Sequence, residues 1–524
     1  MRIIGVLSFE EQVERVCMIK RIISIMLCAI LVLGMTACGE KQNSTGVSAQ
    51  ATNEELAKKY RATNIVLSDE EITVDDKKIS DNPKAAVYCA NDIVFYLEGQ
   101  DFTYGEGTEK DEHSQQEADA HTVVHITEPG NYVLSGKLSA GQIAVDLGDG
   151  AKKDWGAVVT LILNGVDITC SVAPGVIFYN VYECGDDDAD DATKDVDTSA
   201  AGANIILADG SDNFVNGSYV AKIYESVELN KAGTEVIDSK KLHKYDAAFY
   251  SRRSMNICGE EKGTGVLNIQ AENDGLDTEL HLTLNGGIIN INSGNDGINT
   301  NEDEVSVTTV NDGVLTITVN GSTGEGDGID SNGWLVINGG IVTSFACGFS
   351  MDSGIDSDMG IHINGGTVIA GGNMLDEIAD SKQTYAVFTT MEVIKGGTEL
   401  SVKNEAGDIV AGTTIANDCT CIALSSPDLL PGTYTLWKGD EQLKVSEMNG
   451  RMPGMPGGGK FKPDGEMPEL PDGEMLQPPQ RLEGERPIRP EGEAPRFPGG
   501  TMGDMESKDE FAIKEGANMF LIAK

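Results

Sequence analysis

Four short segments of this sequence set oxygen-bearing side chains on both sides of a glycine–aliphatic pair. They are Asn273-Asp274-Gly275-Leu276-Asp277-Thr278, Asn295-Asp296-Gly297-Ile298-Asn299-Thr300, Gly326-Asp327-Gly328-Ile329-Asp330-Ser331 and Asp352-Ser353-Gly354-Ile355-Asp356-Ser357. The fourth carries Ser353 where the others have aspartate. If such segments stack at the spacing of paired strands, about 4.8 Å, neighbouring carboxylates repel by roughly 3 kcal/mol at an effective dielectric near 20. A counter-charge is then required. Hard oxygen donors in an array suit Ca²⁺, which takes about six to eight oxygens from carboxylates, amides and turn carbonyls. The candidate ligands are Asp274, Asp277, Asp296, Asp327, Asp330, Asp352 and Asp356, supported by Asn299. Asp-Gly and Asn-Gly are also good turn formers in their own right. The metal reading rests on the second Asp or Asn, after the glycine, which no turn type demands.

The elements that must position these groups are visible as a repeat. Turn signals occur at Asn285-Gly286-Gly287, Asn338-Gly339-Gly340 and Asn364-Gly365-Gly366, with Asn311-Asp312-Gly313 as a variant, and their asparagines are spaced 26, 27 and 26 residues apart. Short apolar-alternating runs separate them, with no helical period between. That combination predicts one coil per repeat and a right-handed parallel β-helix, an all-β solenoid. Gly and Asn would supply left-handed corners, while Leu282, Leu284, Ile289 and Ile291 would point inward and stack. Weaker coils are expected upstream at Val159 to Val166, Ile205 to Asn213 and Asp246 to Ser251, with opening strands from Ala118 to Leu147.

Outside the repeats the chain changes character. From Met18, a basic start (Lys20, Arg21), an apolar run from Ile22 to Leu33 and Met35-Thr36-Ala37-Cys38 read as a signal peptide ending in a lipobox. Cys38 is then the expected lipid anchor, residues 1–17 an upstream extension and 39–60 a flexible tether, leaving 61–450 for the β-helix. Residues 451–500 are rich in Pro, Gly, Glu and Met and repeat PDGEM, which predicts disorder. Residues 501–524 regain apolar character and are expected to return as a strand. The location implied is the outer face of the cell membrane.

Composition narrows the partners. Lys and Arg total 39 against 84 Asp and Glu, a formal net charge of -45 that argues against nucleic acid. The ten cysteines show no CxxC pair, so a zinc site is not indicated and mostly free, buried thiols are expected. The acidic run from Asp186 to Asp191 lacks the glycine and terminal glutamate of an EF-hand loop. Among three tryptophans, Trp334 follows Asp330-Ser331-Asn332-Gly333 and is the candidate for stacking on a sugar.

The repeated D-G-I-D/N-S/T with NGG turns, preceded by LNGV and LADGSDN, resembles the calcium-binding parallel β-helix carbohydrate-binding proteins of bacterial cell surfaces, over roughly Thr122 to Gly372. The resemblance implies a pectate-lyase-like fold, bound calcium, and binding of cellulose or acidic pectins without established catalysis. Ser353, Asn299 and the acidic insertion depart from the pattern. The expected function is therefore calcium-dependent binding of extracellular polysaccharide by a lipid-anchored monomer. A polysaccharide lyase or hydrolase is the alternative. Lyase chemistry needs a strong base beside the cation, yet no arginine occurs from Ser254 to Gly450, leaving Arg252 and Arg253 as candidates. The aspartates themselves keep hydrolysis open. A surface spacer or adhesin without a sugar ligand is the third reading.

Overall fold

The computed structural model describes residues 50–448 and 507–523, within a compact unit spanning Ala49–Lys524. The expected signal peptide, Cys38, most of the expected tether and the low-complexity segment lie outside the described residues. Inside the tether region, Asn53–Tyr60 is an α-helix. Thr52 accepts the Glu55 N–H while the Glu55 carboxylate accepts the Thr52 N–H, and Leu56 buries against Val133 and Ile162.

The rest is overwhelmingly strand. One ladder runs through Thr122–Ile126, Gly141–Asp146, Val176–Asn180, Ala247–Ser251, Asp274–Thr278, Ile298–Thr300 and Ile329–Ser331, each parallel to the next. Phe249, Leu276, Ile298 and Ile329 share one register and are fully buried, forming a column of the core. With a side-chain period of two, Tyr250, Asp277, Asn299 and Asp330 form the neighbouring column.

The expected single β-helix over 61–450 is corrected. Val159–Thr169 pairs with both Ala203–Leu207 and Asp212–Gly217; these pair with Met255–Gly259 and Val266–Ala271, and both of those with Leu282–Ser293. The six strands are parallel and close into a barrel-like ring. Closure is possible because the first and last strands bend at Gly165 (φ 87°) and at Gly286 and Gly287 (φ 140° and 89°), so each serves two neighbours. Antiparallel pairing also intrudes where the repeat ends. Cys419–Ser425 runs antiparallel to both Thr367–Gly372 and Tyr385–Ile394. Glu399–Asn404, Ile409–Thr414, Gly432–Lys438 and Glu441–Leu443 form a separate antiparallel sheet with its own core around Phe388, Phe511 and Phe520. Ala517–Ile522 joins Tyr385–Ile394 in parallel.

The corners also differ from expectation. Glycines of the turns take the positive φ (Gly287, Gly313, Gly340, Gly366), but no asparagine among the described residues does. Leu282, Leu284, Ile289 and Ile291 are buried as the alternation required. All seven described cysteines are free, four of them buried.

Candidate metal centre

The first three motifs contribute strands to the ladder, the fourth lies beyond its last strand at Ile329–Ser331, and stacking places equivalent positions one above another. The first aspartate of each motif is drawn into the backbone. Asp274 Oδ1 accepts the Asp296 N–H (3.0 Å) and the Asn295 amide (2.9 Å), Asp296 Oδ1 accepts the Asp327 N–H (2.7 Å), and Asp327 Oδ1 accepts the Ser353 N–H (2.6 Å). Ser353 thus ends the column, and no Asp is needed there because its amide is what the preceding turn uses. Asp352 is offset by one residue: it accepts the Gly326 N–H (2.7 Å) and the Ser350 hydroxyl instead.

The second position behaves differently. Asp277 is fully buried; its Oδ1 accepts the Asn301 amide (2.9 Å), but its Oδ2 has no partner. Asn299 Oδ1 and Asp356 Oδ1 are likewise buried and unpartnered. Leaving such atoms unsatisfied costs about 1–3 kcal/mol each, more for a charge, so a group that supplies positive charge fits them.

The ladder brings together Asp246, Asp274 and Asp277, whose carboxylate oxygens lie within 4.8 Å of one another. Among the described residues no other group of three His, Cys, Asp or Glu meets this way, so Asp296, Asp327, Asp330, Asp352 and Asp356 are not gathered into a second such centre. Burial, then the charges of Asp246 and Asp277, pushes the Asp274 carboxyl well above its ordinary range; burial, then Glu279 and Asp246, does the same to Asp277. Asp296 is also raised well above, by burial and then Asp274, while Asp327 is raised to about 9 by burial and then Asp296. Lys244 pairs with Asp246 at 2.8 Å. Burial opposes its charge, but Asp246, Asp277 and Glu279 outweigh that and raise its pKa. One ammonium stands beside three carboxyl groups, two of which burial holds in their protonated form, and the donor set is that of a hard divalent cation that would take the place of those protons.

Asp246 was not singled out from sequence, although it opens the coil one turn before Asp274; DAAFYS lacks the glycine that marked the other motifs. Trp334 is half-buried between Val307 and Gly360 in parallel register, a sheet position rather than an open platform. Trp155 is the exposed indole (81 %), and Trp437 is covered by Lys403 at 4.1 Å. The Asp186–Asp191 run folds into exposed turns, with Asp187 paired to Lys152 at 2.9 Å.

The profile of a family described as carbohydrate-binding domain-containing protein matches residues 120–441. A relative of the same description from Acetivibrio thermocellus is 32% identical over 167 residues, which are 32% of this chain and 43% of that protein. The match therefore spans less than half the length of that relative. A solved structure described as the polysaccharide lyase-like protein from C. thermocellum, gadolinium derivative, is 21% identical with a TM-score of 0.34, covering 61% of this chain and 94% of that one.

Proposed function

This chain belongs to the carbohydrate-binding domain-containing protein family, and from that premise we propose that it binds acidic polysaccharide through calcium held at Asp246, Asp274 and Asp277. The observation that carries the reading is the buried, unpartnered Asp277 Oδ2 inside a triad of carboxylates. Asn299, paired with Asp277 one rung on, adds an unpartnered amide oxygen. Calcium coordinates more oxygens than these supply, so it bridges to uronate carboxylates that a protein of net charge -45 would otherwise repel. The chain's own part is to hold the acids in register, with Lys244 balancing Asp246.

Binding without turnover is the reading we favour. Lys244 stays protonated through its acidic neighbours and is unsuited as a base. One observation supports the lyase alternative: Arg253 Nε is buried without a partner, and burial, then Arg252, lowers its proton affinity. We further propose that the protein acts at the cell surface, tethered through Cys38.

The test is retention of the protein on immobilised polygalacturonate with calcium, with EDTA, and after calcium is restored, while the soluble phase is assayed for unsaturated and reducing ends. Retention that EDTA abolishes and calcium restores, without products, supports the proposal. Product formation makes the protein an enzyme. Absence of retention under every condition removes the polysaccharide reading and leaves the spacer or adhesin.

A further inference from the structure

Residues 50–62 join no sheet, yet they are fastened across one. Beneath the helix Asn53–Tyr60 runs an outward row of the parallel strands, Val133, Ile162 and Ile206, paired rung to rung. Leu56, the buried residue of the helix, packs with Val133, Ile162 and Ala208. Cys258 is the next rung of the row, and there its character changes: the Asn285 amide reaches Cys258 Sγ at 3.8 Å, and Asn311, Asn338 and Asn364 follow in a chain of side-chain hydrogen bonds. The row is aliphatic where the helix lies over it and amide beyond, so the helix is the cover that these aliphatic residues require.

The fastenings are few and come in chain order. Asn164 accepts the Gln50 side-chain amide (2.9 Å) and donates to the Ala51 carbonyl (3.1 Å) and to Asn53 Oδ1 (2.7 Å). Asn53 donates to Asn64 Oδ1 (3.0 Å) and Ser135 Oγ (2.6 Å). At the other end Lys59 pairs with Glu260 (2.6 Å) and Glu261 (3.0 Å), and Asn131 donates to the Tyr60 carbonyl (2.7 Å). Arg61, at φ 54°, then turns the chain into the strand Thr63–Leu67. That strand is held on both edges, parallel to Tyr132–Gly136 at five positions and antiparallel to Thr73–Val74.

We propose that residues 50–62 are a strap that releases under tension on the N-terminal side of the fold and lengthens the tether while every strand stays paired. Pulled from Gln50, the fastenings load one after another, and an eight-residue helix has no stability of its own once Leu56 leaves its site. Pulling on Thr63 loads the rungs on both edges of its strand together. At the opposite terminus Ala517–Ile522 is likewise paired on both edges, so the strap is the first part to yield between the two ends. Extended at roughly 3.5 Å per residue, residues 50–62 reach about 45 Å, against about 20 Å when folded with a helical rise near 1.5 Å per residue, so release adds roughly 25 Å. With the lipid anchor proposed at Cys38, this compliance lies between the membrane and the rest of the fold; the release itself depends neither on that anchor nor on the polysaccharide reading.

The experiment is optical-tweezers stretching of the chain from Gly39 to Lys524, which keeps the whole compact unit, with handles at its two ends. Wild type is compared with Leu56→Asp and Lys59→Ala. The expected record is a reversible first step of roughly 25 Å ahead of any larger one, absent in Leu56→Asp and shifted to lower force in Lys59→Ala, with the later steps unchanged in both. Hydrogen exchange without load is expected to be at least about tenfold faster for the amides of 53–61 than for those of 64–67. A first event that takes the strap and Thr63–Leu67 together, or equal protection of the two, overturns the proposal. So does a first step that persists unchanged in Leu56→Asp. If Leu56→Asp does not fold, Lys59→Ala decides, and an unchanged first-step force there overturns the proposal.

Discussion

Asp274 Oδ1 accepts the backbone N–H of Asp296 at 3.0 Å, so the carboxylate of one turn closes the next. Three residues further on, Asp277 has a carboxylate oxygen that closes nothing. Two aspartates of one motif thus carry different duties, and substitution separates them. Asp277→Asn keeps a side-chain oxygen for Asn301 but removes the charge; the metal-free protein is expected to melt at the same or a higher temperature. The calcium-induced gain, about 2.7 kcal/mol at a hundredfold excess over Kd, is expected to vanish. Asp274→Ala instead loses the closure and is destabilised by about 1–3 kcal/mol even without metal. Thermal melts with and without calcium distinguish them; a full calcium response in Asp277→Asn would refute the triad.

The metal-free protein should lose stability as pH rises. Burial, then Asp358 and Asp376, raises Asp330 to about 6, and Asp327 and Asp356 are raised to about 9, in each case by burial first. An unfolded aspartate titrates near 3.9. Between that pH and the folded value the native state holds more protons, so the contribution is full below about pH 3.9 and disappears as pH climbs through the folded pKa. Asp330 accounts for at most about 3 kcal/mol of this. Calcium requires the deprotonated acids, so its stabilising effect should grow from about pH 5 to about pH 9. Melts in EDTA across that range test the first statement, and a flat profile would contradict the raised values.

Glycines serve two physical purposes here. A Cβ on Gly328 would lie 2.0 Å from Ser344 Oγ and 2.3 Å from the Gly354 carbonyl oxygen, although its φ is ordinary. Gly286 has room around it but a φ of 140°. Gly328→Ala is expected to cost about 1–3 kcal/mol through overpacking, and Gly286→Ala to act through backbone strain alone. Urea denaturation measures both, and Ser344→Ala in the Gly328→Ala background should recover part of the loss because it removes the nearer clash.

Cys38→Ser tests the anchor. Cell fractionation is expected to find the wild type with membranes and the variant in the soluble extracellular fraction, since acylation supplies the membrane affinity. Identical partitioning would remove Cys38 from the account.

By itself the sequence determined the spacing of the turns, the alternation that buries Ile289 and Ile291, and the four glycine-centred acidic motifs, three of them with Asp-Gly, because turn chemistry and side-chain period are local properties. Family resemblance rested on the same local signals. Tertiary structure alone decided which oxygens are left over. Whether Asp274 or Asp277 keeps a free atom depends on which amide of the next turn arrives beside it, and no spacing encodes that. The same holds for Asp246, which joins the centre only through stacking, and for the closed ring that replaces the expected solenoid. Strand pairing is non-local, and a strand that bends at Gly165 or Gly287 can satisfy two neighbours at once, so a repeat count could not fix how the sheet would close.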